Sequence, residues 1–168
     1  MEERRPAHII LPHPPYLLDA DCRRHSSALR RSFGVPSDAN LARQRQHYSD
    51  QTACTNDTLL DVLDDIIEAH SDIVVMVTGD HGPPMLGQQP LDDWSEAAMR
   101  ERMTILSAYR LPGCAEQVRP EITPVNGGRL VANCALGTSL QALPDDNYWT
   151  PPSARLGAVF ELTDRLAE

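Results

Sequence analysis

The sequence predicts an α/β protein, a mostly parallel sheet with flanking helices, and three observations predict it. Residues Asp57 to Ala69 carry Leu59, Leu60, Leu63, Ile66 and Ile67 at helical spacing, with Asp61, Asp64, Asp65 and Glu68 on the opposite face. Ile73 to Thr78 follows directly and is apolar throughout instead of alternating, the mark of a strand covered on both faces. A second apolar run, Thr104 to Leu111, ends at "LPG" and reads as another strand. A helix leading into a fully buried strand is half of a βαβ unit, and that sets the class.

The other elements follow from punctuation along the chain. His8 to Leu11 is a short apolar run closed by "PHPP", which places His13 at a strand's end on a stiff loop. Leu17 to Gln46 is rich in Arg and Ser without a clear period and reads as irregular, with one short helix near Ser26 to Ser32. Thr55 or Asn56 is the expected N-cap of the 57–69 helix, whose acidic first turn suits the helix dipole. "TPVNGGRLVANCALG" places Thr123 at an N-cap, Pro124 at the first helical position and Gly137 just past the end. Leu156 to Leu162 is a candidate final strand.

Length and charge narrow the functions. The 168 residues suit one domain spanning 1–168, and a net charge of -9 with no basic stripe excludes a nucleic-acid binder. No apolar stretch is long enough to cross a bilayer, and "MEERRPAHII" lacks the apolar core of a signal peptide. The four cysteines, Cys22, Cys54, Cys114 and Cys134, include no CxxC pair, which argues against a zinc ribbon. Disulfides and small buried hydrophobes both remain open for them.

The stretch that points to chemistry is "SDIVVMVTGDHGPP", Ser71 to Pro84. In open α/β sheets ligands bind beyond the carboxyl ends of strands, where Asp80 and His81 are expected to fall. A carboxylate and an imidazole side by side on a bent, Gly/Pro-bounded loop can both reach one divalent cation. An isolated Asp–His dipeptide reads more simply as a turn cap beside a surface histidine. The flanking sequence changes that balance.

"HIILPHPP", "YSDQTACTND", "IVVMVTGDHGP", "RMTILSAYRLPG" and "ITPVNGGRLVAN" stand in an order and spacing that resembles sulfatase-like hydrolases of the alkaline phosphatase superfamily, from about Ala7 to Thr150. The resemblance implies an alkaline-phosphatase-like sheet of which this chain carries the C-terminal part, the N-terminal half being missing. It implies that Asp80 and His81 are metal ligands and that His13 and Arg129 contact substrate. Tyr48, Gln51 and Asn56 match a block read as architecture. The implied cofactor is a divalent ion, Mn or Zn by ligand type, with Ca or Mg as alternatives. The implied substrate is a sulfate or phosphate ester, and the implied setting is an extracytoplasmic domain anchored to a membrane.

Family enzymes attack the ester with a metal-held Thr, Ser or modified Cys from their N-terminal half. No strand–Asp/Glu followed by such a residue at a helix start is visible before His8. The chain is therefore expected to be inactive alone, with a missing half or a second chain covering an exposed sheet edge. The competing expectation is a non-catalytic remnant that binds an anion or a sugar.

Overall fold

The computed structural model describes residues 6–29, 38–83, 85, 95–150 and 159–166, in two compact units, Met1–Ala69 and His70–Glu168. In the first unit, β1 (Tyr16–Leu18) pairs antiparallel with β2 (Arg24–Leu29). Asp19 closes their turn, its Oδ1 accepting the Asp21 and Arg23 N–H groups. The ribbon lies on α1 (Asp38–Ala69), a helix of 32 residues.

Helix α1 is far longer than the periodicity at 57–69 predicts. Leu41 to Gln46, "LARQRQ", expected to be irregular, consists of strong helix formers that need no apolar period to stay helical. Thr55 is therefore no cap: its hydroxyl donates to the Gln51 carbonyl at 2.6 Å, and Thr58 does the same to Cys54 at 2.9 Å. Ser26 to Leu29, expected in a short helix, belong to β2, and residues 30–32 of that expected helix lie outside the described ones. Nor does the run at His8–Leu11 form a strand. It is irregular and has no pairing partner among the described residues, and Ile10 is 71% exposed.

The face of α1 turned to β1 carries His47, Gln51 and Cys54, spaced four and three apart and all buried. Gln51 joins the two elements through its amide. Its Oε1 accepts from the Leu17 and Leu18 N–H groups at 2.7 and 3.2 Å, and its Nε2 donates to the His13 carbonyl at 3.2 Å. Tyr16 packs edge-on to Tyr48, with centroids 5.9 Å apart. A Cys22–Cys54 disulfide fixes the β1–β2 turn to the helix.

In the second unit, β3 (Val75–Thr78) and β4 (Ser107–Arg110) pair antiparallel, Val75 opposite Arg110 and Thr78 opposite Ser107. Between them in sequence lies α2 (Glu96–Met103), capped by Ser95, whose side chain accepts the Ala98 N–H. Then come α3 (Pro124–Leu136), the short pair β5 (Tyr148–Trp149) and β6 (Phe160–Glu161), also antiparallel, and α4 (Thr163–Leu166). Ala98, Met99, Leu111, Leu130 and Leu162 are its buried apolar residues, together with Met85. A second disulfide joins Cys114 to Cys134.

This corrects the predicted fold class. Among the described residues, the strands form three separate two-stranded antiparallel ribbons, with no large parallel sheet, so the architecture is not alkaline-phosphatase-like. The signal that misled was the unbroken apolar run at β3. Val75, Met76 and Val77 are only half-buried, and among the described residues β3 pairs antiparallel with β4 and with no parallel neighbour. An apolar run of this length does not by itself distinguish the two arrangements.

The caps of α3 are where the sequence places them. Pro124 opens the helix, and Gly137 ends it in the left-handed region at φ 63°. Thr123, however, does not cap through its side chain. Its hydroxyl and N–H both donate to Asp145 Oδ1, at 2.8 and 2.9 Å, as does the Asn126 amide at 2.7 Å. Arg119 pairs with the other carboxylate oxygen. A carboxylate at a helix N-terminus is also favoured by the helix dipole. Asp145 thus ties the segment leading into β5 to the start of α3.

Candidate functional site

The loop after β3 is fixed by backbone pairing on both sides. The Gly79 N–H donates to the Leu106 carbonyl at 2.9 Å and the Gly82 N–H to the Arg102 carbonyl at 2.7 Å. A Cβ on Gly82 would overlap the backbone oxygens of Glu101 and Thr104, so this approach of loop to α2 requires glycine. The Gly82 carbonyl in turn accepts from Arg102 Nη1 at 2.7 Å.

Asp80 and His81 converge within this loop. Asp80 Oδ1 accepts the His81 N–H at 3.0 Å and so caps the turn, as the simpler reading of the dipeptide expects. Oδ2 lies 3.4 Å from His81 Nε2. His81 Nδ1 stands 3.1 Å from the Gly82 carbonyl, which can only accept; the tautomer protonated at Nδ1 satisfies that contact and would turn the Nε2 lone pair toward Oδ2. Two lone-pair-bearing atoms facing each other at that distance are stabilised by a cation or a proton between them. Metal–ligand bonds of about 2.0–2.1 Å at a tetrahedral angle place two donor atoms roughly 3.3 Å apart, which matches this pair. Holding the second ring nitrogen on a backbone carbonyl is also how metal-bound histidines are commonly oriented.

The pair lines a cavity of about 270 Å³ together with Arg102, Ile105, Asn147 and Trp149. The Asp145 carboxyl, just before this lining, is held well below the usual carboxylate range. Burial works to raise it, but hydrogen bonds from Thr123, Asn126 and Arg119 outweigh that. The donor set is incomplete for a metal: Asp80 and His81 are two ligands where three or four are usual. Among the described residues no group of three His, Cys, Asp or Glu side chains converges.

The other expected site residues lie elsewhere. His13 belongs to the first unit, exposed, with Nδ1 2.6 Å from the Pro14 carbonyl and its own carbonyl held by Gln51. Arg129 is on α3, where Nη1 donates to the Gln141 carbonyl at 2.9 Å, and it is not among the described residues lining the cavity. Sequence reasoning missed Arg102, Asn147 and Trp149 as lining residues. The available signal was that Arg102 opens the block "RMTILSAYRLPG" and that Trp149 stands at the end of the resembling stretch. No protein-family model matches the chain, and no curated protein or solved structure matches it significantly.

Proposed function

We propose that this chain supplies part of the metal site of a sulfatase-like metal-dependent hydrolase or phospho-group transferase acting on sulfate or phosphate esters. The observation that carries the reading is the 3.4 Å convergence of Asp80 Oδ2 and His81 Nε2, with Nδ1 engaged on the Gly82 carbonyl. Oxygen plus nitrogen ligation favours Mn or Zn, with Ca or Mg as alternatives. A bound divalent ion would stabilise charge on the transferred group's oxygens and acidify a metal-held nucleophile. Arg102 and Asn147 line the same cavity, and in this reading they would meet the ester's oxygens. In this reading the nucleophile and at least one further ligand are supplied from outside the described residues. The complete pairing of its four cysteines supports an extracytoplasmic setting, since disulfides persist in oxidising compartments.

The test is a calorimetric titration of the chain with Zn²⁺ and Mn²⁺, run beside turnover assays on p-nitrophenyl phosphate and sulfate. Weak 1:1 binding is expected, reduced on the order of 100-fold by Asp80→Ala or His81→Ala, without turnover. Binding unchanged in both variants, or no binding, would defeat the reading. A second reading, a non-catalytic anion- or sugar-binding module, is favoured by Tyr148 and Trp149 lining the same cavity as Arg102. It requires binding that a chelator leaves intact.

A further inference from the structure

A second cluster of titratable side chains lies in the first unit, away from Asp80 and His81 in sequence. His25, from β2, stacks on His47, from α1, with ring centroids 4.0 Å apart and planes within 18°. His47 is 9% exposed, and its Nδ1 is buried with no hydrogen-bond partner. His25 Nε2 is likewise buried and unpartnered. Asp50 Oδ2 stands 3.9 Å from that atom, beyond hydrogen-bond reach, while Gln46 holds its other oxygen at 2.8 Å. Rings stacked face to face send their lone pairs out in parallel planes, so the pair does not chelate one ion, and no third ligand converges on it among the described residues. The species these nitrogens can take up is a proton.

The surroundings limit how many. A first proton is met by Asp50, which needs to move by about the difference between 3.9 Å and an ordinary hydrogen bond. A second would put two like charges in stacked rings and bury one of them. The groups acting on His47 agree. Burial foremost, then His25 and Arg43, holds its imidazole below the ordinary value, against Asp50 and the Tyr16 backbone, which work to raise it. A depressed imidazole favours folding above the unfolded value of about 6.5, and that contribution is lost as pH falls below it, because the unfolded chain binds the proton first.

We propose that the His25–His47 stack is an acid-operated latch: with at most one proton it holds the β1–β2 ribbon on α1, and a second proton parts the rings and lifts the ribbon with the adjoining His13 loop. The Cys22–Cys54 disulfide keeps the ribbon's turn attached, which makes the opening local and reversible. The Leu17 and Leu18 amides, bonded directly to Gln51, report that contact.

The test is hydrogen exchange of those two amides in the full chain at pH 7.5 and pH 5.0, normalised to the intrinsic rate at each pH. Protection in the wild type should fall at least tenfold at the lower pH. His47→Phe, which keeps a stacked ring but takes no proton, should retain its protection at both. Asp50→Asn, lacking the carboxylate that meets the first proton, should lose protection at a higher pH than the wild type; it serves as the deciding variant if His47→Phe does not fold. Unchanged wild-type protection, equal loss in His47→Phe, or an unshifted Asp50→Asn profile each overturns the latch.

Discussion

Two adjacent glycines on α3 show how much one position's surroundings matter. A Cβ on Gly127 would overlap the Tyr109 hydroxyl and ring, whereas one on Gly128 would meet nothing within 4 Å. Gly128→Ala should therefore raise stability by about 0.5–1 kcal/mol, the ordinary helix-interior gain, while Gly127→Ala should lower it by about 1–3 kcal/mol through overpacking. Urea denaturation of the two variants checks both signs. Asp145 makes stability depend on pH. Its carboxylate is mostly buried, at 17% side-chain exposure, and its folded value is depressed. Its contribution is thus present above the unfolded carboxylate value of about 4 and lost as pH falls through the depressed folded one. Asp145→Asn should cost about 2–3 kcal/mol at pH 7, and thermal melts should show that gap narrowing below pH 4.

Gln51, fully buried, satisfies three backbone groups of the segment at His13 to Leu18. Gln51→Leu keeps the volume but leaves those groups unpaired, so a loss of about 2–4 kcal/mol is expected by chemical denaturation. Here the sequence was informative in one respect and silent in another. Gln51 was legible as architecture, but the helix around it was not, because its first turns rest on propensity without an apolar stripe. The caps of α3 were readable because Pro124 and Gly137 act locally through φ. The pairing of β3 with β4 was not, since strand direction depends on where the chain returns and no residue within β3 encodes that. At the site, the Asp80–His81 pair was visible as a dipeptide. Arg102 and Trp149 reach the same cavity only through the way α2 and β5 fold back, which no local spacing records.

For the whole molecule, the disulfides matter most. Cys22–Cys54 closes a separation of 32 residues and Cys114–Cys134 one of 20. Loop-closure entropy assigns each about 3–4 kcal/mol. Thiol titration of the denatured chain should find no free sulfhydryl, and melts with dithiothreitol should show a marked drop in midpoint. Each cross-link also stays within its own unit, Met1–Ala69 or His70–Glu168. The two halves are thus joined covalently by the polypeptide alone. One proteolytic nick at the start of the second half would yield two bands on a denaturing gel even when reductant is omitted, whereas cysteines paired across the halves would give a single band.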